Sequence, residues 1–270
     1  MNGPTPRLRM FAGPNGSGKS TLKSVLAPEL LGVYLNPDEI EANIKRHGCL
    51  DVAVYGLQTE GDIDSRLLAF FKQSPLLIKA GLINEAGNLK STNGLADFSQ
   101  VAMNSYFASV ASDFLRQQLL KQGNSFTLET VMSSPDKVRL LEQAQNLGYR
   151  TYLYYIATDA PEINISRVHN RVKQGGHPVP IDKIVSRYHR SLNLLMDAIR
   201  HSNRAYVFDN SGHNETQTWL AEITDGQTLE IKADQVPEWF INSVIRKISS
   251  EAPEPESNRE TPDLRANRNG

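Results

Sequence analysis

A glycine-rich segment near the N-terminus, residues 13–21, carries the clearest chemical pattern in this sequence. It matches the pattern G-x-x-x-x-G-K-[ST] through the residues Gly13, Pro14, Asn15, Gly16, Ser17, Gly18, Lys19, Ser20 and Thr21. Glycines allow backbone N–H groups to curl around a phosphate at the start of a helix. In such a loop Lys19 reaches the β- and γ-phosphates, and the Ser20 hydroxyl ligates Mg²⁺. The segment therefore predicts a site for ATP and Mg²⁺.

The class of nucleotide-binding protein follows from what accompanies this loop. The sequence has no N-K-x-D element that would read guanine, which argues against a GTPase. No apolar run ends in Asp-Glu, so an ABC-type or motor ATPase has little support. These observations favour a kinase that transfers the γ-phosphate of ATP to a hydroxyl group of a small molecule.

Polar residues that follow predicted strands could act on the acceptor. Asp38 comes just after the apolar residues 33–35, and Glu129 and Thr130 end a later strand. Side chains at the carboxyl ends of parallel strands face the ligand crevice. Asp38 could accept the proton of an attacking hydroxyl there, or it could merely cap a helix that starts at Glu39. Glu129 could bind acceptor hydroxyls or hold Mg²⁺ through water, or it could simply meet solvent.

Arginines surround a flexible turn at residues 175–177. Arg167 and Arg171 lie four residues apart on one face of the helix before the turn, and Arg187 lies on the next helix. Such side chains could close over the triphosphate as a lid and neutralise developing charge. Taken alone, any one of these arginines is more often solvated helix surface. The prediction assigns Arg171 and Arg187 to the nucleotide.

Short apolar runs alternate with longer helical patterns, which predicts an α/β fold with a parallel sheet. Strands are expected at about 7–12, 33–36, 125–130, 149–157 and 205–210. The fourth is almost unbroken in apolar and aromatic residues, as a strand buried on both faces should be. Helices are expected from Ser20 with Leu22, Val25 and Leu26 on one face, from Pro135 behind the N-cap Ser134, from the N-cap Asp159, and at about 98–122.

Changes in composition divide the chain into three predicted regions. Residues 1–212 form the P-loop kinase domain, with a helical insertion at about 50–97. Residues 213–250 form a small C-terminal extension, with a hairpin around Asp225-Gly226 and a helix. Residues 251–270 are rich in Pro, Glu and Arg, which predicts disorder.

The overall composition argues against several classes of protein. The net charge is −1, so no basic surplus indicates binding to nucleic acid or to an anionic membrane. Cys49 is the one cysteine, and the histidines lack metal-binding spacing. No long apolar run suggests a signal peptide or a membrane span. We therefore expect a cytoplasmic protein.

Five motifs follow one another in a specific order. They are A-G-P-N-G-S-G-K-S-T, N-P-D-E-I, S-F-T-L-E-T, G-Y-R-T-Y-L-Y-Y-I, and R-V-H-N-R-V-K-Q-G-G-H-P-V-P with R-Y-H-R-S-L. Together they span about 7–48 and 98–212 and resemble the zeta toxin family, in its broad bacterial branch labelled predicted ABC-type ATPase. The resemblance implies a P-loop kinase fold with strand order 2-3-1-4-5. It also implies ATP-dependent phosphorylation of the 3′-hydroxyl of the amino sugar in UDP-N-acetylglucosamine, and a small antitoxin as partner.

The resemblance further implies roles for particular residues. Lys19 and Ser20 fall on the phosphate and magnesium positions of the family. Asp38 falls on the general base. Glu129 falls on a carboxylate that binds the sugar nucleotide, and Arg171 falls on a lid arginine that contacts ATP phosphates.

Three departures from the family pattern bear on specificity. Val131 stands where well-studied toxins carry threonine, so Thr130 is expected to take over that substrate contact. The second lid cation is either His177, by spacing, or Arg187, by chemistry. The insertion at about 50–97 lies near the expected acceptor pocket. The alternatives are therefore a kinase of another nucleotide sugar or of an antibiotic, and a non-catalytic ATP-binding module. A polynucleotide kinase is disfavoured by the charge.

Overall fold

Strands and helices alternate along most of the chain. A computed structural model describes residues 4–23, 26–212 and 217–251. The strands are, in chain order, β1 (Arg7–Ala12), β2 (Val33–Leu35), β3 (Cys49–Asp51), β4 (Lys90–Thr92), β5 (Leu95–Asp97), β6 (Phe126–Thr130), β7 (Arg150–Ala157), β8 (Arg204–Asp209), β9 (Thr218–Thr224) and β10 (Thr228–Ile231). The α-helices are α1 (Lys19–Leu22), α2 (Pro28–Leu31), α3 (Pro37–His47), α4 (Ile63–Lys72), α5 (Pro75–Lys79), α6 (Ile83–Ala86), α7 (Ser105–Lys121), α8 (Pro135–Asn146), α9 (Pro161–Lys173), α10 (Ile181–Arg200), α11 (Glu238–Phe240) and α12 (Arg246–Glu251).

The central sheet is built around β1. This strand pairs in parallel with β6 on one side and with β7 on the other. β2 then pairs in parallel with β6, and β8 with β7. The resulting order, β2-β6-β1-β7-β8, is the predicted order 2-3-1-4-5 when the five predicted strands are counted along the chain. The predicted fold class is confirmed, and the carboxyl ends of these strands meet at one edge, where ligands bind in such sheets.

The sheet continues beyond β8, which the sequence does not predict. β9 pairs antiparallel with β8, and β10 pairs antiparallel with β9, so the sheet has seven strands. The predicted hairpin at Asp225-Gly226 is present, and both residues have positive φ angles, 48° and 68°. Asp and Gly tolerate this conformation better than most residues. The hairpin is therefore part of the main sheet, where it covers the edge that β8 would otherwise expose.

The predicted helical insertion at about 50–97 contains a small sheet as well as helices. β3, β5 and β4 form a three-stranded antiparallel sheet beside α4, α5 and α6. Asp64 holds the turn of this sheet, because its carboxylate accepts hydrogen bonds from Ser91 Oγ (2.5 Å) and from the N–H groups of Asn93 and Gly94 (2.9 Å each). The purely helical prediction is wrong, because strands of three residues are too short to show an alternating pattern.

Two predicted helix starts are displaced. α7 covers the later part of the predicted helix at about 98–122, because Asn104 caps its first turn. α9 is capped by Ala160, so the predicted N-cap Asp159 is wrong. Pro161 occupies the first helical position, and a residue before proline favours the extended conformation. Ala160 has this conformation, with φ −145° and ψ 147°.

Two hydrophobic clusters lie on opposite faces of the main sheet. The larger includes Leu153 and Tyr155 of β7, and the smaller includes Tyr154 and Ile156 of the same strand. β7 is therefore buried on both faces, as predicted. Leu22 belongs to the smaller cluster and packs α1 against the sheet.

The C-terminal part of the described chain is a helix with one irregular turn. α11 and α12 are joined by a π-helical turn, Ile241–Ile245, at the place of the predicted helix. The predicted disordered tail lies outside the described residues except for Glu251, which ends α12, and so does Val25. No helix within the described ranges is long and apolar enough to cross a membrane.

Candidate active site

The loop between β1 and α1 requires glycine at two positions at least. Gly13 has a φ of 146°, and a Cβ placed on it would lie 2.0 Å from the carbonyl oxygen of Ile156. Gly18 has a φ of 100°, and its Cβ would lie 2.4 Å from Nδ2 of Asn210. Residues with side chains rarely adopt these conformations. The predicted phosphate-binding loop is thus pressed against the ends of β7 and β8.

Side-chain amides from outside the loop hold its carbonyl groups. Asn164 belongs to α9, Asn210 follows β8 and Gln217 precedes β9. Their bonds run from Asn164 Nδ2 to Asn15 O (2.5 Å), from Asn210 Nδ2 to Ser17 O (2.8 Å) and from Gln217 Nε2 to Gly18 O (3.3 Å). Sequence reasoning missed these three residues. Each lies more than a hundred residues from its partner, so no local pattern points to it.

Asn164 offers a test of this support. It is fully buried, and its Oδ1 also accepts a hydrogen bond from Thr158. Asn164→Ala would leave buried polar groups without partners, and we expect it to lower the free energy of unfolding by about 1–3 kcal/mol. We also expect weaker ATP binding, because the loop would lose an anchor. Thermal unfolding and calorimetric titration with ATP measure both effects.

The matched control is Asn170→Ala, at an exposed position of the same helix. It should change neither the unfolding temperature nor the affinity for ATP. An Asn164→Ala protein that loses stability but binds ATP as the wild type does would contradict the supporting role.

Lys19 is buried at the end of the loop. Its side chain is 8% exposed, and its Nζ donates hydrogen bonds to the carbonyl oxygens of Gly13 and Pro14, both at 2.9 Å. Burial lowers the pKa of Lys19 below its usual value. The carboxylates of Glu129 and Asp38 oppose this shift, whereas the positive charge of Arg171 adds to it. The structure therefore brings these four predicted site residues together.

The loop also fits the phosphates of a nucleotide. Ser17 Oγ is buried and has no hydrogen-bond partner among the described residues. Buried polar atoms normally have such partners, and the Ser17 hydroxyl can donate to a phosphate oxygen. Ser20, the predicted magnesium ligand, is exposed in α1 next to Lys19.

Asp38 lies in the first turn of α3 but does not cap that helix. The helix begins at Pro37, and its N-cap is Asn36, whose Oδ1 accepts the N–H of Asp38 at 2.9 Å. The interpretation that Asp38 merely caps a helix starting at Glu39 is therefore wrong. Within the described part of the chain, no hydrogen bond or ion pair uses the exposed Asp38 carboxylate, so it can accept a proton.

Glu129 ends β6, and two groups from the neighbouring strand hold its carboxylate. Tyr34 OH donates to Glu129 Oε2 at 2.5 Å, and Asn36 Nδ2 donates to the same oxygen at 3.2 Å. Burial, and then the charge of Glu129, raise the pKa of Tyr34 above its usual range. The ammonium of Lys23 lies 3.6 Å from the centre of the Tyr34 ring. Sequence reasoning missed Tyr34, which appears in the sequence only as an aromatic residue of a short strand.

The predicted lid turn connects α9 to α10 and approaches α3. Gly176 N–H donates to the carbonyl of Arg171 at 3.0 Å, and Arg171 Nη2 donates to the carbonyl of His177 at 3.4 Å. His177 Nε2 lies 3.9 Å from Oε1 of Glu41, which is 3% exposed and pairs with Lys45 at 2.5 Å. His177 therefore lies beside the helix that carries Asp38.

The two other arginines, Arg187 and Arg167, have no described hydrogen bond to the phosphate-binding loop. Burial and the charge of Arg190 lower the pKa of Arg187, whereas Tyr106 raises it. No hydrogen bond or ion pair of the described residues joins Arg187 to the phosphate-binding loop, so its nucleotide role stays a prediction. Arg167 Nη2 donates to the carbonyl of Gly212 at 3.1 Å.

Thr130 takes part in a tight turn after β6. Its Oγ1 accepts the N–H of Met132 at 3.0 Å, and Met132 is buried with a φ of 51°. Val131 lies between them. The substrate contact predicted for Thr130 remains a prediction.

The fold and the site define the class of protein. A parallel sheet in the order β2-β6-β1-β7-β8, with a phosphate-binding loop after β1 and acidic residues after β2 and β6, is a P-loop fold of the kinase type. The model of the zeta toxin family matches residues 93–218, which confirms the predicted family resemblance. The matched region contains Glu129 and Arg171 and begins after the phosphate-binding loop and Asp38.

The chain is also similar to an individual curated protein. An uncharacterized protein of Haemophilus influenzae is 33% identical over 69 residues, which are 26% of this chain and 49% of that protein. This chain thus spans about half the length of that relative.

Among solved structures, the complex of AvrRxo1-ORF1 and AvrRxo1-ORF2 with sulphate ions gives a TM-score of 0.50 at 17% identity, covering 85% of this chain and 62% of that one. The same complex with ATP also gives 0.50 at 17% identity, covering 95% of this chain and 67% of that one. The PezAT toxin-antitoxin system of Streptococcus pneumoniae gives 0.45 at 14% identity, covering 93% and 86%. At 17% identity, the likeness to the two AvrRxo1 complexes is one of fold.

Proposed function

We propose that this chain is an ATP-dependent kinase that phosphorylates the 3′-hydroxyl of the amino sugar in UDP-N-acetylglucosamine. The observation that carries the proposal is the placement of Lys19 after β1, Asp38 after β2 and Glu129 at the end of β6, at one edge of the sheet and within reach of the charge of Arg171. Phosphoryl transfer depends on positioning and on electrostatic stabilisation more than on covalent chemistry. A buried lysine, a free carboxylate and a lid arginine at one edge of a parallel sheet can supply both.

Each residue has its own role in the proposed reaction. Lys19 and the loop backbone hold the β- and γ-phosphates, while Asp38 accepts the proton of the attacking hydroxyl. The acceptor oxygen forms a bond to the γ-phosphorus as the bond to the bridging oxygen of ADP breaks. Arg171 stabilises the developing charge, and Glu129 binds another donor group of the sugar nucleotide. Ser20 would hold Mg²⁺, which neutralises charge on the phosphate oxygens when bound.

The comparisons support the binding of ATP and suggest a protein partner. A protein of similar fold has been solved with ATP and as a complex of two proteins. We extend ATP binding to this chain, together with a small antitoxin as partner and a cytoplasmic location.

A second candidate is a kinase of the same fold that acts on another acceptor. β3 follows α3 directly, so the small sheet of the insertion begins next to the helix that carries Asp38. Val131 also stands where related toxins have threonine. A different nucleotide sugar or an antibiotic would then be the acceptor. A non-catalytic ATP-binding module has less support, because Lys19, Ser20 and Asp38 are all present.

Mapping the product tests the proposed acceptor. The protein is incubated with ATP, Mg²⁺ and UDP-N-acetylglucosamine, and the sugar nucleotide is analysed by mass spectrometry and by ¹H–³¹P NMR correlation. We expect one added phosphate whose phosphorus correlates with the proton at carbon 3 of the amino sugar. A phosphate at another position, or a product formed only from a different acceptor, would favour the second candidate.

A further inference from the structure

One side chain connects the two acidic residues of the site. The Oδ1 atom of Asn36 accepts the N–H of Asp38 at 2.9 Å, while its Nδ2 atom donates to Glu129 Oε2 at 3.2 Å. The first bond fixes the start of α3, and the second reaches the end of β6. Asn36 therefore ties the helix that carries the proposed base to the strand that carries the proposed substrate carboxylate.

A second hydrogen-bond donor also holds the carboxylate of Glu129. Tyr34 OH bonds to the same oxygen, Oε2, at 2.5 Å. Because burial and the neighbouring carboxylate raise the pKa of Tyr34, its hydroxyl stays protonated and remains a donor at neutral pH. None of the described hydrogen bonds and ion pairs uses the other oxygen, Oε1. The two oxygens of Glu129 are thus unequal: one is held by the protein, and the other can accept from a ligand.

We propose that Asn36 and Tyr34 are positioning residues that fix Oε2 of Glu129, so that Oε1 receives a hydroxyl or amide N–H donor of the acceptor while Asp38 deprotonates the attacking hydroxyl. This inference rests on the proposed kinase function. It also narrows the acceptor, which must carry a hydrogen-bond donor besides the hydroxyl that is phosphorylated. Small displacements of reacting groups are costly, and a shift of about 1 Å can lower a rate about 100-fold.

Asn36→Asp separates the two bonds of Asn36. Aspartate caps helices about as well as asparagine does, so the bond to the N–H of Asp38 is retained. The donor to Glu129 is lost, and a carboxylate replaces it. We expect kcat to fall and the KM for the acceptor to rise, with kcat/KM lower by about 10–100-fold, as for the loss of one hydrogen bond to a charged group. The KM for ATP should stay unchanged.

Two further variants complete the test. Tyr34→Phe removes the other donor without touching the helix cap, and it should also raise the KM for the acceptor while leaving that for ATP unchanged. Asn104→Asp is the matched control, because Asn104 caps α7 through bonds to the N–H groups of Tyr106 and Phe107. It undergoes the same chemical change at a helix cap that has no described hydrogen bond to Asp38 or Glu129, and it should leave the kinetic constants at the wild-type values.

The outcomes decide between a positioning and a merely structural role. If Asn36→Asp and Tyr34→Phe keep the wild-type kcat/KM for the acceptor, the inference is overturned. It is also overturned if both lose affinity for ATP and acceptor alike along with stability. Crystal structures of the wild type and of Asn36→Asp provide a readout without turnover. A displaced Glu129 side chain supports the inference, and an unmoved one contradicts it, even if the wild type phosphorylates no acceptor and the proposed function itself fails.

Discussion

Replacing Asp38 with asparagine is expected to lower the rate of phosphoryl transfer by about 100-fold or more, because a positioned general base contributes about 10²–10⁴-fold. Asparagine has nearly the same shape but cannot accept the proton of the acceptor hydroxyl. The cap of α3 is Asn36, so the helix should keep its start. Transfer is measured as acceptor-dependent ADP formation, and ATP binding is measured by calorimetry and should be nearly unchanged.

The neighbouring residue provides the control for this variant. Glu39 is exposed, and its carboxylate lies 3.7 Å from the ammonium of Lys23. Exposed ion pairs contribute little, so Glu39→Gln should leave transfer unaffected. Wild-type transfer by the Asp38→Asn protein would show that another group takes the proton.

Replacing Lys19 with methionine is expected to weaken ATP binding by about 10–100-fold, since hydrogen bonds to a charged group contribute about 1.5–3 kcal/mol. Transfer should fall further, because the charge that develops on the phosphate oxygens would lose one of the cations proposed to stabilise it. The change in unfolding temperature without ATP should be small, because the loss of the hydrogen bonds to the Gly13 and Pro14 carbonyls opposes the removal of a buried charge. Burial disfavours the charged form of Lys19 in the folded protein, as its lowered pKa shows, and methionine carries no charge to bury.

Thermal unfolding with and without ATP separates these effects. Ligand that binds the folded protein raises the unfolding temperature, so the wild type should shift on addition of ATP and Lys19→Met should shift much less. Lys121→Met, at the exposed end of α7, should shift as the wild type does. An equal ATP-induced shift in Lys19→Met and the wild type would exclude a role for Lys19 in nucleotide binding.

The parts of the fold that the sequence predicts are those with strong local patterns. β1 is predicted with its observed bounds, and β7 is predicted from its apolar run, because a strand buried on both faces carries a continuous signal. The sequence pattern that predicts the phosphate-binding loop is equally local, since its glycines, lysine and serine are close together in sequence. The strand order follows from the family resemblance, not from any local pattern.

The parts that the sequence does not predict depend on long-range contacts. The bond between Tyr34 and Glu129 joins residues 95 positions apart, and that between Asn164 and Asn15 joins residues 149 positions apart. Pairing of the C-terminal hairpin with β8 is likewise decided by the exposed strand edge. Only the folded chain shows that the N-cap of α3 also holds Glu129.

The measurement that tests the central claim most directly is ADP release from ATP and Mg²⁺ across a panel of UDP-sugars, with the wild type beside Asp38→Asn. We predict that UDP-N-acetylglucosamine drives turnover by the wild type, that other UDP-sugars do not, and that the variant is inactive while it still binds ATP. Turnover that is equal in the two proteins, or an ATP-binding wild type that responds to no UDP-sugar, would contradict the claim.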